Sequence, residues 1–414
     1  MRIERFQIQG FKSIADLTVT GLSEINVFFG LNNVGKSNIF QALELWHWLL
    51  LHSSTVKRTG VNPTKYEIPL HQLEQHFGSL LVRLGYKNRM HFTVELSSLQ
   101  AHSANQQPSK RLSTNVTLRI ASDVAHCEIE LHEGATTDTL DPSVNLLERW
   151  LPHLPPFHVV HAGRRLQTEF REKKELPDVI SDHNFKQALF YAYLSSDLEQ
   201  KKRLNAIKRI LAEPPFALGE LDIALDPATD RIDIGFVRPD GRLPIENLGS
   251  GTQQLILVLG QIFLNDYPII AVEEPEMNLA PQYQEYLLAA LRKLMQEPAV
   301  KLQQLFISTH SPYFEFTENF YDVTFDPMAG TCVSHATSER YTQHFAITPT
   351  GQATGARVNS LNQVQLYPGL IQDLGLQRGD LVIFARNSAG RWEIRPAQEI
   401  AQELQTITNN NGTA

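Results

Sequence analysis

The stretch GLNNVGKS at residues 30–37 limits the folds open to this chain more than any other part of its sequence. It follows INVFFG, an apolar and β-rich run, and it precedes a segment with helical patterning from about Asn38 to His52. In this order, a strand leads through a glycine-rich turn into a helix whose first N–H groups have no partner within the helix. Such a helix N-terminus carries a partial positive charge of about half a unit. The stretch therefore predicts a phosphate-binding turn in an α/β fold.

Four residues of this turn have separate predicted roles. Gly30 and Gly35 let the backbone turn tightly, so that its N–H groups point at phosphate oxygens. The Lys36 ammonium supplies a charge to the β- and γ-phosphates, and the Ser37 hydroxyl can bind Mg²⁺. We therefore predict ATP and Mg²⁺ as the ligands of the turn. The predicted ATP-binding residues are Gly30, Asn32, Asn33, Gly35, Lys36, Ser37 and Asn38.

Two further apolar runs end in polar residues. PIIAV is followed by Glu273 and Glu274, and QLFI is followed by a polar segment that ends in His310. Because parallel strands present their carboxyl ends at one edge of a sheet, these side chains are expected at the edge where ligands bind. Ser37 and Glu273 are the predicted metal ligands, the latter directly or through water. Glu274 is predicted to deprotonate the attacking water and His310 to contact the γ-phosphate, which makes them the predicted catalytic residues.

Helix-like and strand-like segments alternate from residue 247 onward, which is typical of a parallel sheet. The predicted helices are 252–265 and 281–297, and the predicted strands are 268–274 and 303–309. Four regions are predicted in all: an N-terminal lobe at 1–165, a helical insertion at 166–215, a C-terminal lobe at 216–320 and a strand-rich extension at 321–414.

Three smaller features are also predicted, two of them from turn-forming residues. The polar, proline-bearing segment 53–70 is predicted to be a loop. The stretch RNSAG at 386–390 predicts a hairpin, and a closing helix is predicted near 396–407.

A second glycine-rich stretch, ENLGSGTQQ at 246–254, precedes the apolar run LILVLGQIF. A turn needs one glycine, whereas two glycines and a serine at a helix N-terminus form another anion-binding mouth. In this order, the motifs resemble those of ABC-type ATPases of the SMC/RecF/OLD branch, in particular OLD-like members without a TOPRIM nuclease domain. The resemblance covers roughly the first 50 residues and about 246–312. It implies an α/β ABC-ATPase head with a mixed and parallel sheet, a strand-rich N-terminal lobe, a short helical arm insertion and a strand-rich C-terminal region.

The resemblance also implies roles for individual residues. The family's signature motif, which contacts the nucleotide held by a second subunit, would be formed by Gly249, Ser250, Gly251 and Gln253. Thr252 stands where many relatives have another glycine, a variant that OLD-like members share. Asn278 matches the family's D-loop, whereas Ala280 replaces the histidine or aspartate common there.

Weaker correspondences follow from the same resemblance. Either Gln72 or Gln75 would form the glutamine lid. Lys12 and Arg164 occupy positions where relatives approach the nucleotide or the dimer seam, and a solvated surface charge is an equally good interpretation of both. His161, like most other histidines of the chain, lies in no recognisable metal-binding spacing and receives no predicted role.

Composition narrows the classes of partner. The formal net charge of −8 over 414 residues argues against a polybasic nucleic-acid binder. A local basic helical stretch is nevertheless present at Lys201, Lys202, Arg203, Lys208 and Arg209. We find neither a signal-peptide pattern nor a run close to the ~20 apolar residues of a membrane span, and we expect a cytoplasmic protein without a membrane partner.

Two functions remain open. The first is an ATPase head that dimerises around nucleotide and controls a separate effector, such as a nuclease or toxin, in an antiphage defence system. The second is a RecF- or SMC-like ATPase of DNA repair or chromosome maintenance that binds DNA directly, with the basic stretch as its support. Region 321–414 contains no D-x-D pair of the kind a TOPRIM nuclease uses, so we expect ATP hydrolysis without a nuclease site. The strand-rich segment between turn and signature makes a transporter subunit a poor fit.

Overall fold

The computed structural model describes residues 1–78, 88–98, 111–134, 145–167, 169, 179–314, 319–335, 374–375, 382–386 and 392–396. These residues belong to two units, Met1–Ser338 and Glu339–Ala414, which are treated separately below. No helix within the described ranges is both long enough and apolar enough to cross a membrane.

The first unit opens with a strand-rich lobe around the phosphate-binding turn. Its elements are β1 (Arg2–Phe11), β2 (Ile14–Thr20), β3 (Ile25–Phe29), α1 (Lys36–His52), β4 (Thr64–Pro69), α2 (Leu70–Phe77), β5 (Arg89–Ser97), β6 (Arg111–Ala121) and β7 (Val124–Gly134). The strand and helix predicted on either side of the turn are confirmed. The loop predicted over 53–70 is wrong in its last third, because Thr64, Tyr66 and Ile68 alternate into the core and form a strand that pairs with β7.

The second half of the unit alternates helices and strands. Its elements are α3 (Leu146–Trp150), β8 (Phe157–Val160), α4 (Phe185–Leu194), α5 (Leu198–Ala212), β9 (Glu220–Asp226), β10 (Arg231–Arg238), β11 (Gly241–Pro244), α6 (Ser250–Phe263), β12 (Ile269–Glu273), α7 (Pro281–Met295), β13 (Gln304–Thr309), β14 (Phe320–Asp326) and β15 (Gly330–His335). The four elements predicted by the alternation after residue 247 are all present.

One twelve-stranded sheet runs through the unit in the order β4-β7-β6-β5-β1-β2-β15-β14-β3-β13-β12-β8. Strands β14, β3, β13, β12 and β8 pair in parallel, and the pairs from β4 to β14 are antiparallel. The predicted mixed and parallel sheet is therefore confirmed. Strands β9, β10 and β11 form a separate three-stranded antiparallel sheet.

Helices cover both faces of the parallel strands, and β3 shows which helix lies where. Val27 belongs to the apolar cluster that contains α6 and α7, including Leu257 and Leu291. The next residue, Phe28, belongs to the other cluster and lies 5.7 Å, between ring centroids, from Phe40 of α1. Because successive strand residues point to opposite faces, α1 and α6 lie on opposite faces of the sheet.

The predicted helical insertion is present as α4 and α5, with residues 168 and 170–178 outside the described ranges. Both helices bury one side in the cluster that contains α6, through side chains such as Phe185, Leu189 and Ile207. Helices α4 and α5 therefore share their core with α6.

The basic stretch of α5 is largely matched by partners. Arg203 is 1% exposed and forms an ion pair with Asp266, and Arg209 forms one with Glu297. The Lys208 ammonium lies 5.0 Å above an aromatic ring of α4. Since these cations already have partners, the stretch offers less unpaired positive charge than its sequence predicts.

The second unit is described at residues 374–375 and in two strands, β16 (Val382–Arg386) and β17 (Trp392–Pro396). They pair antiparallel, which confirms the hairpin predicted around 386–390. The closing helix predicted near 396–407 lies outside the described residues.

Packing of α4 against α6 gives a test of the core. A Cβ atom at Gly260 would lie 2.8 Å from Cζ of the buried Phe185, and closer still to Cε2. We expect Gly260→Ala to lower the free energy of unfolding in urea by about 1–3 kcal/mol, although alanine is the better helix former. Combination with Phe185→Leu should cost less than the sum of the two single changes.

Gly163→Ala is the control, because no atom lies within 4 Å of the added methyl group. Equal unfolding free energies for Gly260→Ala and Gly163→Ala would contradict this packing.

Candidate functional site

The phosphate-binding turn is wedged between strands β13, β14 and β15. The Gly30 N–H donates to the Thr309 carbonyl at 3.1 Å, and a Cβ atom at Gly30 would collide with the Val323 carbonyl. Gly35 has a φ of 98° and would place a Cβ atom against the Thr331 hydroxyl. Both glycines are required here, because the backbone conformation or the neighbouring atoms exclude a side chain.

The Lys36 side chain is buried against the backbone of the phosphate-binding turn. Its Nζ donates to the carbonyls of Gly30 at 2.7 Å and Leu31 at 2.8 Å, and the residue is 6% exposed. Burial lowers the pKa of Lys36, whereas the nearby carboxylates Glu274 and Glu276 raise it. The structure thus places a cation inside the turn and close to the acidic end of β12. The predicted contacts Asn32, Asn33 and Ser37 are exposed around it.

A hydroxyl network ties the first turn of α1 to the sheet. Asn38 Nδ2 donates to Ser13 Oγ at 2.7 Å, and Ser13 Oγ lies 2.6 Å from Thr331 Oγ1. Thr331 Oγ1 in turn donates to the Val34 carbonyl at 2.9 Å. Sequence reasoning missed Ser13 and Thr331, which are far apart in the chain. Lys12 is bonded to Gln41 of α1 at 2.7 Å, so it lies beside the helix rather than free in solvent.

Glu273 is buried at the carboxyl end of β12 with one oxygen satisfied and one free. Oε2 accepts from Ala162 N at 3.3 Å and lies 3.4 Å from His161 Nδ1, whereas Oε1 is buried without a hydrogen-bond partner. Burial favours the neutral acid, but hydrogen bonds from His161 and Ser37 outweigh it and lower the pKa of Glu273. The carboxylate is therefore ionised and adjacent to the Ser37 hydroxyl, as a metal ligand must be.

These donors fit a Mg²⁺ ion. The orphaned Glu273 Oε1 and the Ser37 hydroxyl are hard oxygen ligands, which Mg²⁺ prefers. Within the described ranges, no group of three or more His, Cys, Asp or Glu side chains forms an all-protein metal cage. Mg²⁺ in nucleotide sites takes one or two protein ligands and completes its shell with phosphates and water, so the two oxygens are a sufficient set.

The structure brings the two predicted catalytic residues together. His310 Nδ1 lies 3.5 Å from Glu274 Oε1, at the ends of the adjacent strands β13 and β12. Glu274 has a left-handed backbone, with φ of 41°, and its N–H donates to the Ser308 carbonyl at 2.8 Å. A non-glycine residue adopts this conformation only when its surroundings hold it there. Its side chain remains partly exposed at the edge of the sheet, where a substrate can reach it.

A third carboxylate, Glu276, was not predicted. It is 2% exposed, and its Oε1 accepts from Thr309 Oγ1 at 2.5 Å and from His310 N at 3.3 Å. Oε2 is buried without a partner, and burial raises the pKa of Glu276. It holds the end of β13 in place beneath His310. The sequence gives no local signal for this burial, because the partners of Glu276 lie on β13 and directly after it.

Arg164 is buried rather than a surface charge. It is 4% exposed, and its guanidinium donates to the backbone carbonyls of Glu273 at 2.9 Å and Glu274 at 3.0 Å. Burial lowers the pKa of Arg164 to about 10, against the opposing effect of the three nearby glutamates. The interpretation of Arg164 as a solvated charge is therefore wrong. His161, to which no role was assigned, also lies in the site, because its hydrogen bond to Glu273 raises the pKa of its imidazole.

The signature stretch forms the exposed N-terminus of α6. Gly249 is its N-cap, Ser250 its first residue, and both are exposed. A Cβ atom at Gly251 would collide with the carbonyl of Asn278, which is itself exposed and left-handed with φ of 63°. Gln253 Nε2 closes the stretch by donating to the Leu248 carbonyl at 3.0 Å. The predicted signature residues and Asn278 thus form one exposed surface.

Neither predicted glutamine lid lies at the site. Gln72 and Gln75 belong to α2, whose His76 contacts Trp48 with 5.3 Å between ring centroids. Trp48 lies about 18 Å along α1 from Lys36, at 1.5 Å per residue. The prediction of a lid from either glutamine is therefore wrong: α2 directly follows β4, which forms the edge of the sheet.

A family model described as "AAA ATPase domain" matches residues 1–74 and 152–314, more than half of the chain. The protein belongs to this AAA ATPase family. The two matched segments contain the phosphate-binding turn, Arg164, the signature stretch and the ends of β12 and β13. The parts of the ATPase that converge in space are thus the parts that the family shares.

Two curated relatives are similar to this ATPase in sequence. The OLD nuclease of Thermus scotoductus is 28% identical, over 77% of this chain and 60% of its own length. An uncharacterized protein of Methanocaldococcus jannaschii is 28% identical, over 32% of this chain and 16% of its own length. The chain therefore spans less than two thirds of either relative. With the family match, the first relative confirms the predicted resemblance to OLD-like ATPases.

Solved structures similar to the ATPase include two SMC heads. The SMC head domain from Thermotoga maritima is 12% identical with a TM-score of 0.42, over 81% of this chain and all of its own. The SmcHead bound to the C-winged helix domain of ScpA is 13% identical with a TM-score of 0.46, over 82% of this chain and all of its own.

Glu276 makes the stability of the ATPase depend on pH. Above its ordinary pKa of 4.5, the carboxyl ionises in the unfolded chain while the folded protein still holds the proton, because burial raises the folded pKa. The free energy of unfolding therefore falls as pH rises through this window. Glu276→Gln keeps an acceptor for Thr309 and His310 but cannot titrate. We expect its stability, relative to the parent, to increase between pH 5 and pH 8 in urea unfolding without nucleotide.

The control is Glu74→Gln on the exposed side of α2. Parallel pH profiles for the parent and Glu276→Gln would contradict a pKa of Glu276 that burial raises.

Proposed function

We propose that this AAA ATPase binds ATP·Mg²⁺ at the turn, hydrolyses it with Glu274 and His310, and closes on a second copy of itself around the nucleotide. The convergence of Lys36, Glu273, Glu274 and His310 at one edge of the sheet supports the hydrolytic part. The position of the signature stretch supports the closure.

The chemistry follows from the groups present. The helix N-terminus and Lys36 bind the phosphates. Ser37 and Glu273 would hold a Mg²⁺ ion, which would neutralise charge that develops on the phosphates. Glu274 accepts a proton from the water that attacks the γ-phosphate. His310, beside Glu274, donates to a γ-phosphate oxygen. Arg164 holds the backbone under both glutamates, so the site is organised before the nucleotide arrives.

The signature stretch does not reach the nucleotide of its own chain, for geometric reasons. Both α1 and α6 begin at the carboxyl edge, because Lys36 and Gly251 each lie near residues that follow β12. They lie on opposite faces of the sheet, however, so their axes are separated by roughly 20 Å, given helix diameters of 10–12 Å with the sheet between them. A triphosphate on α1 therefore leaves Ser250 of the same chain without a ligand. A second copy, facing the first, would bring its Ser250 to that triphosphate.

Removal of the lysine tests the nucleotide site. We expect Lys36→Ala to weaken ATP binding by at least about tenfold, because the charge at the β- and γ-phosphates is lost. Equilibrium binding of a fluorescent ATP analogue measures the effect. Lys208→Ala is the control, since Lys208 lies on α5, and equal affinities for the two variants would contradict the assignment.

Trapping the unhydrolysed state tests the closure. We expect Glu274→Gln to bind ATP·Mg²⁺ with little hydrolysis and to double its native mass when ATP is added. Adding Ser250→Arg to this variant should abolish the doubling, because the bulky arginine side chain blocks the exposed N-terminus of α6. ATP binding by the separate chains should not change. A native mass of Glu274→Gln that ATP does not change would count against nucleotide-driven closure, and hydrolysis at the parental rate would count against the role of Glu274.

We place the head in an antiphage defence system, where it controls a separate effector such as a nuclease or toxin. The similarity to an OLD nuclease supports this assignment. A DNA repair or chromosome-maintenance ATPase that binds DNA directly is the second candidate. Its main support is weaker, since Arg203, Lys208 and Arg209 already have partners. Adjacent effector genes favour the first candidate, and DNA binding with a steep salt dependence favours the second.

A further inference from the structure

The segment His161–Arg164 holds the acidic end of β12 from one side. His161 and Ala162 contact the carboxylate of Glu273, as described above. Arg164 holds the backbone, through its bonds to the carbonyls of Glu273 and Glu274, and it also donates to the His161 carbonyl of its own segment at 2.6 Å. A guanidinium is a rigid, planar group of five donors, so it fixes these three carbonyls relative to one another.

The same arginine is joined to the signature helix. Arg164 Nε donates to Gln254 Oε1 at 3.3 Å, and Gln254 Nε2 donates back to the Arg164 carbonyl at 2.5 Å. The two residues are 4% and 7% exposed, so water does not replace these bonds if they break. Gln254 thus joins α6 to this segment through two hydrogen bonds.

Gln254 lies one helical turn from the exposed N-terminus of α6 at Gly249 and Ser250, which is called the signature mouth below. It is four residues after Ser250 and therefore on the same side of the helix. A helix moves as a rigid unit over one turn, so a ligand that displaces or fixes the mouth also displaces or fixes Gln254. From there, the hydrogen bonds lead through Arg164 to the carbonyl of Glu274.

Glu274 is sensitive to such a displacement. Its left-handed backbone is held on one side by Ser308 and on the other by Arg164. A small rotation of this peptide moves the carboxylate relative to the attacking water, and a misplacement of about 1 Å can cost about 100-fold in rate.

We propose that Gln254 and Arg164 are positioning residues that transmit occupation of the signature mouth by the partner's nucleotide to the backbone of Glu274. Hydrolysis in one subunit is thereby linked to the presence of the second. The inference rests on the proposed closure of two copies around ATP, and it adds the route by which closure reaches the catalytic carboxylate.

The test replaces Gln254 by methionine, which has a similar shape and no hydrogen-bonding amide. We expect Gln254→Met to bind the fluorescent ATP analogue within about twofold of the parent, and to dimerise with ATP when combined with Glu274→Gln. Its kcat should fall by at least about tenfold. In an Arg164→Lys background, Gln254→Met should cause little additional loss of kcat, because both changes interrupt the same chain of hydrogen bonds.

Gln261→Met is the matched control, a second buried glutamine on the same side of α6 and two turns further from the mouth. If the role of Gln254 were purely structural, Gln254→Met and Gln261→Met would lose equal stability and both would keep the parental kcat. If Gln254→Met does not fold, Gln254→Glu replaces it, since it keeps an acceptor for Arg164 Nε and loses the donor to the Arg164 carbonyl, while its added charge faces the Arg164 guanidinium.

The outcomes separate the two proposals. If Gln254→Met keeps the parental kcat while Glu274→Gln still dimerises with ATP, only the proposed transmission through Gln254 and Arg164 is overturned. If Glu274→Gln does not dimerise with ATP, both the closure and the transmission are overturned. A low kcat with intact binding and dimerisation supports both.

Discussion

Parallel pairing of β13 with β3 on one side and β12 on the other is the interaction on which the site depends. In this register Thr309 lies opposite Phe29, and Ser308 lies opposite Glu273. The phosphate-binding turn, the acidic end of β12 and His310 therefore begin at the same edge. The bond from Gly30 N to the Thr309 carbonyl continues this pairing into the turn itself. A shift of β13 by one residue would separate the lysine from the carboxylates.

The site is held by buried charges whose partners are mainly backbone groups. Lys36 binds two carbonyls of its own turn, and Arg164 binds carbonyls from two strands. Glu273 and Glu276 each keep one buried oxygen without a partner. Isolated buried charges are costly, so such an arrangement persists only where opposite charges lie close together. Lys36 and Arg164 lie at the same edge of the sheet as Glu273 and Glu276, whose unpartnered oxygen atoms remain available to a metal or substrate.

Sequence patterns predicted the elements around the turn, the acidic pair and His310, because each is defined by residues close together in the chain. They missed Ser13, Thr331, Glu276 and Gln254, whose partners are brought near by the sheet. Arg164 could be recognised only as a charge at a strand end. The loop predicted over 53–70 failed for a related reason: a short edge strand is formed by pairing with β7, and its own proline and polar residues hide it.

By itself, the sequence determined the strand–turn–helix unit, the chemical groups of the site and the family resemblance, since local periodicity and spacing are sufficient for these. Tertiary structure decided which charges are buried and which face of the sheet each helix covers. An apolar helix such as α6 can pack on either face, and its placement depends on the side chains that β3, β12 and β13 direct there. That placement puts the N-terminus of α6 and the helix α1 on opposite faces of the sheet, and it lets Gln254 bond to Arg164. Burial and hydrogen bonding between distant segments are properties of the folded chain alone.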